Sequence, residues 1–294
     1  MSSPEINPKT TQMNRRTFLK RTLATIGGML VFSIPTYAYT GERHWIEITN
    51  HTIASPRIPK SFNGVRMIHI SDLHYGHYLD ETHLAKIVEQ MNALQPDVVC
   101  FTGDFIDQQL SLQDAEKVRS VLTRLSARLG KYAILGNHDY WGDEHLVTKT
   151  LKESGFQVLV NATTTVQIQN EFIRISGLDD LLEGSPDMNQ IKSAFKEDQF
   201  HIMLMHEPDF ADHISQYAVD LQLSGHSHGG QIRIPFMGAP LTPEYSRKYK
   251  SGLYQNINRS KLTLYTNRGL GTTILPLRFS CRPEIAVLQL QQQL

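Results

Sequence analysis

With 294 residues the chain can build one large domain or two small ones, and a 40% hydrophobic fraction is that of an ordinary globular protein, which excludes disordered and collagen-like classes. Lys+Arg 29 against Asp+Glu 29 leaves no net formal charge and counts against nucleic-acid binding by phosphate neutralisation. Two cysteines, Cys100 and Cys281, exclude a disulfide scaffold and a four-cysteine zinc site, while 13 histidines pose the question whether they are scattered or grouped.

The zero balance hides an asymmetry. Residues 1–40 carry Lys9, Arg15, Arg16, Lys20 and Arg21 against Glu5 alone. Thr22 to Gly41 then runs without a charge, which is the order of an export signal. Asn14-Arg15-Arg16-Thr17-Phe18-Leu19-Lys20 resembles the twin-arginine signal, whose route carries folded proteins. Gly27, Gly28, Ser33 and Pro35 interrupt the apolar run, which favours a signal over a permanent spanning helix. Thr36-Tyr37-Ala38 is a candidate, imperfect cleavage site. Residues 1–41 are therefore read as a signal or anchor segment and 42–294 as the functional domain. The expected location is the periplasm or cell envelope, with the twin-arginine translocation machinery as a partner and membrane association left open.

Within 42–294, His44 to Thr49 alternates like an edge strand, and Val65 to Ser71 is a strand ending at a polar turn. A helix follows over Asp80 to Ala93, capped by Asp80, with Leu84, Ile87, Val88 and Met91 on one face. Asp97 to Thr102 reads as a buried strand, Ser111 to Leu129 as a helix, Tyr132 to Leu135 as a strand and Glu144 to Glu153 as a helix. The second half is richer in strands: Gln157 to Val160, Thr165 to Gln169, Phe172 to Gly177, His201 to Met205, Asp220 to Leu223, Leu262 to Thr266 and Glu284 to Leu290. Helices fill 188–197 and 208–216. No repeat or low-complexity linker marks a further domain.

The chemistry-bearing fragments fall at the carboxyl ends of these strands, where open α/β sheets place their sites. In order they are Asp72-Leu73-His74, Gly103-Asp104, Gly136-Asn137-His138-Asp139, His206 and Gly225-His226-Ser227-His228. Each is weak alone. Together they supply carboxylates, imidazoles and one amide oxygen but no thiolate, a set that suits manganese, iron or zinc. Strand alternation would aim Asp72 with His74, and His226 with His228, to one side. The set of candidate ligands exceeds what one tetrahedral ion takes and fits two divalent ions with a shared ligand.

The fragments resemble, in order and kind, the calcineurin-like metallophosphoesterase family over nearly all of residues 60–290. The resemblance implies a four-layer αββα sandwich of two mixed β-sheets. It implies one metal on Asp72, His74 and His228, a second on Asn137, His206 and His226, and Asp104 bridging them. It also implies a phosphodiesterase in which hydroxide held between the metals attacks phosphorus, with His138 near the leaving group as proton donor and Asp139 orienting its imidazole. Gly229 to Pro235, Tyr249 to Tyr254, Arg268 to Gly271 and Arg278 to Glu284 resemble one bacterial branch, of exported or membrane-linked phosphodiesterases, some similar to UDP-2,3-diacylglucosamine pyrophosphatases. Gln108-Gln109 after Asp107, and Asp139 closing the later motif, depart from serine/threonine protein phosphatases. Asp107 stands where a purple acid phosphatase has tyrosine.

Two alternatives remain beside the phosphodiesterase: a lipid-nucleotide pyrophosphatase, against which the outward signal counts, and an exported metal-binding protein without activity. Arg233, Arg268, Arg278 and Arg282 stand evenly between gripping a second phosphate or lipid headgroup and ordinary salt bridging. Gly229, Gly230, Gly269 and Gly271 read as turn formers, and Tyr75 and His77 as loop residues. Phe236, Met237 and Leu241 read as loop packing rather than membrane contacts. His44, His51, His69, His83, His145, His201 and His213 receive no function.

Overall fold

The computed structural model describes residues 14–293, so the expected contributions of Glu5 and Lys9 lie outside the described residues. Helix α1 (Arg15–Thr36) starts at Asn14, whose side chain accepts from the Thr17 amide at 2.8 Å. It continues past Pro35 through a π turn (Tyr37–Gly41) and a 3-10 turn (Glu42–His44). The whole run, Arg15–His44, is long and apolar enough to cross a membrane, a property that signal sequences share. Its last turns dock on the rest of the chain. Ala38 and Glu42 are buried, the Ala38 carbonyl accepts from the Arg278 amide, and the Glu42 carboxylate accepts from the Cys281 amide at 2.6 Å. Docking therefore begins at Ala38.

The chain then lays down β1 (Glu47–Ser55), β2 (Arg66–Ile70), α2 (Glu81–Ala93), β3 (Val98–Thr102), α3 (Leu112–Leu122) and β4 (Lys131–Ile134). Next come α4 (Asn137–Trp141), α5 (Glu144–Glu153), β5 (Phe156–Val158), β6 (Ala162–Ile168) and β7 (Glu171–Gly177). The remainder is α6 (Met188–Ile191), β8 (His201–Leu204), α7 (Ala211–Ile214), β9 (Leu221–Ser224), β10 (Gly252–Tyr254), β11 (Thr263–Thr266) and β12 (Glu284–Gln292).

One sheet has the order β1-β12-β2-β3-β4-β5, the other β10-β11-β9-β8-β7-β6. Both are mixed. In the first, β12 runs antiparallel to β2 and parallel to β1, and β2 to β5 are parallel, with Met67 opposite Val98 and Cys100 opposite Tyr132. In the second, β7, β8, β9 and β11 are parallel, and β6 and β10 are antiparallel edges.

Three apolar clusters separate the layers. Leu84, Ile87, Val88 and Met91 of α2, with Val118 of α3 and Leu151 of α5, bury against Ile68, Val99 and Phe101 on one face of the first sheet. The alternate residues Met67, Val98, Cys100 and Ile134 face Ile175, Ile202, Leu204 and Leu223 of the second sheet. Met203 and Leu264 cover the remaining face beneath Ile191 of α6 and Ile214 of α7. The result is the four-layer αββα sandwich expected.

Two expectations change. Helix α3 stops at Leu122, not Leu129, because the Asn92 side chain donates to the Arg124 carbonyl and accepts from the Ser126 amide, holding the chain in a turn. Residues 188–197 and 208–216 form short α and 3-10 pieces rather than full helices. Cys100 and Cys281 are both buried and free.

Candidate active site

The five fragments meet where the two sheets end. Asp72 and His74 follow β2, Asp104 follows β3, Asn137 and His138 open α4 directly after β4, His206 follows β8, and His226 and His228 follow β9. The expected strand alternation does not aim the paired ligands, since Asp72, His74, His226 and His228 all lie beyond their strands. They converge because Asp72, His74, Asp104, His226 and His228 take left-handed backbone angles, with φ from 46 to 63°. Such angles are costly for side chains with a Cβ and gather at functional sites. Gly225 is needed for space: a Cβ there would collide with Ser71 Oγ and Asp72 Oδ2.

Ligand atoms of Asp72, His74 and His228 lie within 4.8 Å of one another, as do those of Asp104, His206 and His226, and those of His74, Asp104 and His138. Asp104 stands between the groups, its Oδ2 3.6 Å from His74 Nε2 and 3.2 Å from His206 Nε2. Its Oδ1 accepts from the His138 amide at 2.9 Å. His74 Nε2 and His228 Nε2 approach to 3.0 Å. Among the described residues, Asn137 Oδ1 and His206 Nε2 are buried without a hydrogen-bond partner, the condition of a donor atom that expects a cation. His206 Nδ1 contacts the Thr102 carbonyl at 2.6 Å, His74 Nδ1 contacts Asp107 Oδ1 at 3.1 Å, and His226 Nε2 contacts the Glu244 carbonyl at 2.9 Å. Those outer contacts settle which ring nitrogen each histidine keeps for an ion. The donor set thus fits divalent metal.

The electrostatics agree. Burial and the neighbouring Asp104 charge push Asp72 up to about 6. Burial opposes ionisation of Asp104, but His206 and His74 hold it well below the usual carboxylate range. Burial likewise opposes charge on His206, yet Asp104 lifts it well above 6.5. His226, desolvated and beside His206, falls to about 3. A concentrated cationic charge would relieve the carboxylate crowding and displace the imidazole protons.

Several expected roles are corrected. Asp139 does not orient His138. Its Oδ1 accepts from the Phe105 and Ile106 amides at 2.9 and 3.1 Å, and its Oδ2 from the Gly136 amide at 3.0 Å, so it ties the Asp104 loop to the start of α4. The partner of His138 Nδ1 is the Asp107 carbonyl at 2.6 Å. Arg278 is fully buried and donates to the carbonyls of Arg268, Gly269, Gly271 and Cys281, which leaves it nothing for a phosphate. Arg268 pairs with Glu47 at 2.9 Å and Glu284 at 3.2 Å. Arg233 donates to the Gly229 carbonyl and Ser251 Oγ, and Arg282 lies over the Trp45 ring at 3.7 Å. Arg233, Arg268 and Arg278 are thus engaged by hydrogen bonds or ion pairs within the fold.

Sequence reasoning missed Asp107 as a functional group. Its carboxylate meets His74 Nδ1 at 3.1 Å, His77 Nδ1 at 3.6 Å and His138 Nδ1 at 3.7 Å. The visible signal was an acid following Gly103-Asp104 in the same strand-end loop. Also missed was the clamp on α4, in which Tyr140 donates to Asp179 and Trp141 Nε1 donates to Glu183 at 2.9 Å. The Trp141 ring lies 4.1 Å from that of His138.

Comparison with known proteins gives a concordant result. The family model for calcineurin-like phosphoesterases matches residues 65–230, which hold every one of the five fragments. The chain is 40% identical to the uncharacterized metallophosphoesterase YkuE of Bacillus subtilis, over 95% of this chain and 98% of that one. It is 31% identical to the phosphodiesterase YaeI of Escherichia coli, over 95% and 99%. It is 29% identical to the UDP-2,3-diacylglucosamine pyrophosphatase LpxG of Chlamydia trachomatis, over 79% and 86%.

Proposed function

The chain belongs to the calcineurin-like phosphoesterase family and is a hydrolase of that family, and from this premise we propose that it is an exported dinuclear-metal phosphodiesterase. Asp72, His74 and His228 would hold one ion, Asn137, His206 and His226 the other, and Asp104 would serve both. The observation that carries this reading is the position of Asp104 Oδ2 between His74 Nε2 and His206 Nε2. Manganese, iron or zinc bound there supplies Lewis-acid activation of water and neutralises charge growing on the phosphoryl oxygens.

The chain's own residues do the rest. His138 donates its Nδ1 proton to the Asp107 carbonyl, which leaves Nε2 free. Burial lowers the ring below the ordinary histidine range, so only the ring that has taken up a second proton, at Nε2, can pass it to a leaving alkoxide. The amide of His138 holds Asp104 in register. Trp141 packs on the His138 ring and limits its rotation. Arg15 and Arg16, in the first turn of an apolar helix, support export by the twin-arginine route.

A lipid-nucleotide pyrophosphatase is the second reading, favoured by the likeness to LpxG. One experiment addresses both. Full-length protein loaded with manganese is given an aryl phosphodiester and UDP-2,3-diacylglucosamine, with His226→Ala as control. Cleavage of the aryl diester alone is the expected result. Release of UMP would establish the second reading, and inertness of metal-loaded protein toward both substrates would overturn the enzyme assignment.

A further inference from the structure

Where the N-terminal helix meets the domain there is a cleft of about 240 Å³ that takes no part in the metal centre. Its permanent cations are Arg43 from the end of the helix and Lys86 from α2, joined by the imidazoles of His44, His77 and His83. Burial and the Arg43 charge lower His44 below the ordinary histidine value, and its Nε2 accepts from the Arg43 guanidinium at 3.0 Å. Among the described residues no carboxylate lines it. His83 is paired at the rim with Asp80 at 2.7 Å, but Lys86 has no ion-pair partner among the described residues. Arg43 meets no carboxylate either. Its guanidinium lies 4.4 Å from the Tyr39 ring centre and 5.3 Å from that of Tyr78, and it donates to the Pro276 carbonyl. The His44 and His83 rings stack at 5.1 Å. Arg43 and Lys86 thus stand at one cleft with no carboxylate partner among the described residues, which is unfavourable unless an anion joins them.

The rest of the cleft is apolar. Ile46, Leu79, Ile87 and Leu270 form its wall. Beside it, Ile274 is 86% exposed and Leu275 50% exposed, and Ile274 holds φ at 60°, a strained angle for a β-branched residue. Gln231 enforces that presentation: its Nε2 donates to the Thr273 and Leu275 carbonyls, and its Oε1 accepts from the Thr273 amide. Arg43 reaches the same segment through Pro276. A strained, exposed aliphatic tip beside a cationic cleft suits an amphiphile better than a soluble anion.

The helix supplies the location. Tyr37 and Tyr39 are exposed at its polar end, where aromatic residues mark a bilayer interface. Arg43 stands about 9 Å further along the axis than Tyr37, roughly the depth of a headgroup layer. We infer that this cleft binds the headgroup phosphate of an anionic phospholipid, with Ile274 and Leu275 dipping into the same leaflet. The inference is independent of the proposed hydrolysis.

The test uses full-length protein in neutral detergent with EDTA present, which keeps the metal centre from binding a diester. Dihexanoylphosphatidylglycerol is titrated by calorimetry. Glycerol phosphate and dihexanoylphosphatidylcholine are titrated in parallel. Saturable binding of the anionic lipid is expected, with much weaker binding of the other two. Arg43→Ala with Lys86→Ala should weaken it roughly thirtyfold, about fivefold for each cation lost near an anionic lipid. Ile274→Asp should weaken lipid binding and leave the weak binding of glycerol phosphate unchanged. Thermal unfolding of each variant, together with its activity on an aryl phosphodiester after manganese loading, reports that the fold is intact. Equal affinity for glycerol phosphate would show an anion site without lipid preference and overturn the inference. Equal affinity for the zwitterionic lipid, or no loss in the folded double variant, would overturn it as well.

Discussion

Asp107 is the side chain on which the histidines of the candidate site lean. Burial opposes its charge, but the hydrogen bond with His74 and the charges of His77 and His138 keep it ionised. Asp107→Asn should therefore weaken metal retention or turnover by about 10–100-fold, the usual cost of removing an outer-shell partner. His138→Ala should behave differently, cutting kcat by about 10²–10⁴-fold while metal content stays near that of the parent. Turnover and bound metal measured on the same samples separate the two, and equal losses of both in His138→Ala would refute its role as proton donor. Arg278 lies at the other extreme. Arg278→Met should leave the carbonyls of Arg268, Gly269, Gly271 and Cys281 without their donor and cost about 3 kcal/mol or more in urea unfolding. A residue that gripped substrate would instead raise KM without changing stability.

Among the elements, the loops after the strands matter more to the site than the strands. Gly225→Ala should lose metal binding while the sheets persist, because the added methyl must push against Ser71 and Asp72 and the His226 amide would leave the Asp72 carboxylate. Far-ultraviolet dichroism with metal analysis reads both halves of that statement. The elements that repeat a period were legible in the sequence. Helix α2 announces itself by Asp80 and its Leu84, Ile87, Val88, Met91 stripe, and the expected and observed spans of α5 coincide. What depends on a distant partner was not legible. The end of α3 is decided by Asn92 from another element, and β10 is a strand only because Thr266, Tyr265 and Leu264 lie beside it. The site was legible as a set of residue types at strand ends. The contacts of Asp139 were not, because its partners Phe105 and Ile106 sit in a different loop.

For the molecule as a whole, two buried histidines outside the candidate site contribute to the response to acid. Burial lowers His69 and His201 to about 3, and both stay neutral in hydrogen bonds, His69 with Thr102 Oγ1 at 2.9 Å and His201 with Ser176 Oγ at 2.7 Å. The unfolded chain protonates these rings near pH 6.5, the folded chain only near 3. Unfolding therefore takes up protons throughout that window. The stability gained by keeping the rings neutral is complete above about pH 6.5 and is lost as the pH falls toward 3. Urea midpoints measured from pH 7 to pH 4 should fall, and His201→Gln should flatten the slope. An unchanged slope would mean that other groups dominate.

The pairing of β12 has a consequence in time. Its strand, Glu284–Gln292, lies between β1 and β2 and is the sheet partner of β1. Until those last residues have left the ribosome, Glu47–Ser55 has no partner and β2 presents an open edge. The nascent chain thus lacks closure of this sheet until Glu284–Gln292 has been made. A chain truncated before Glu284 would leave Glu47–Ser55 unpaired and β2 with an open edge, a molecule that cannot shut.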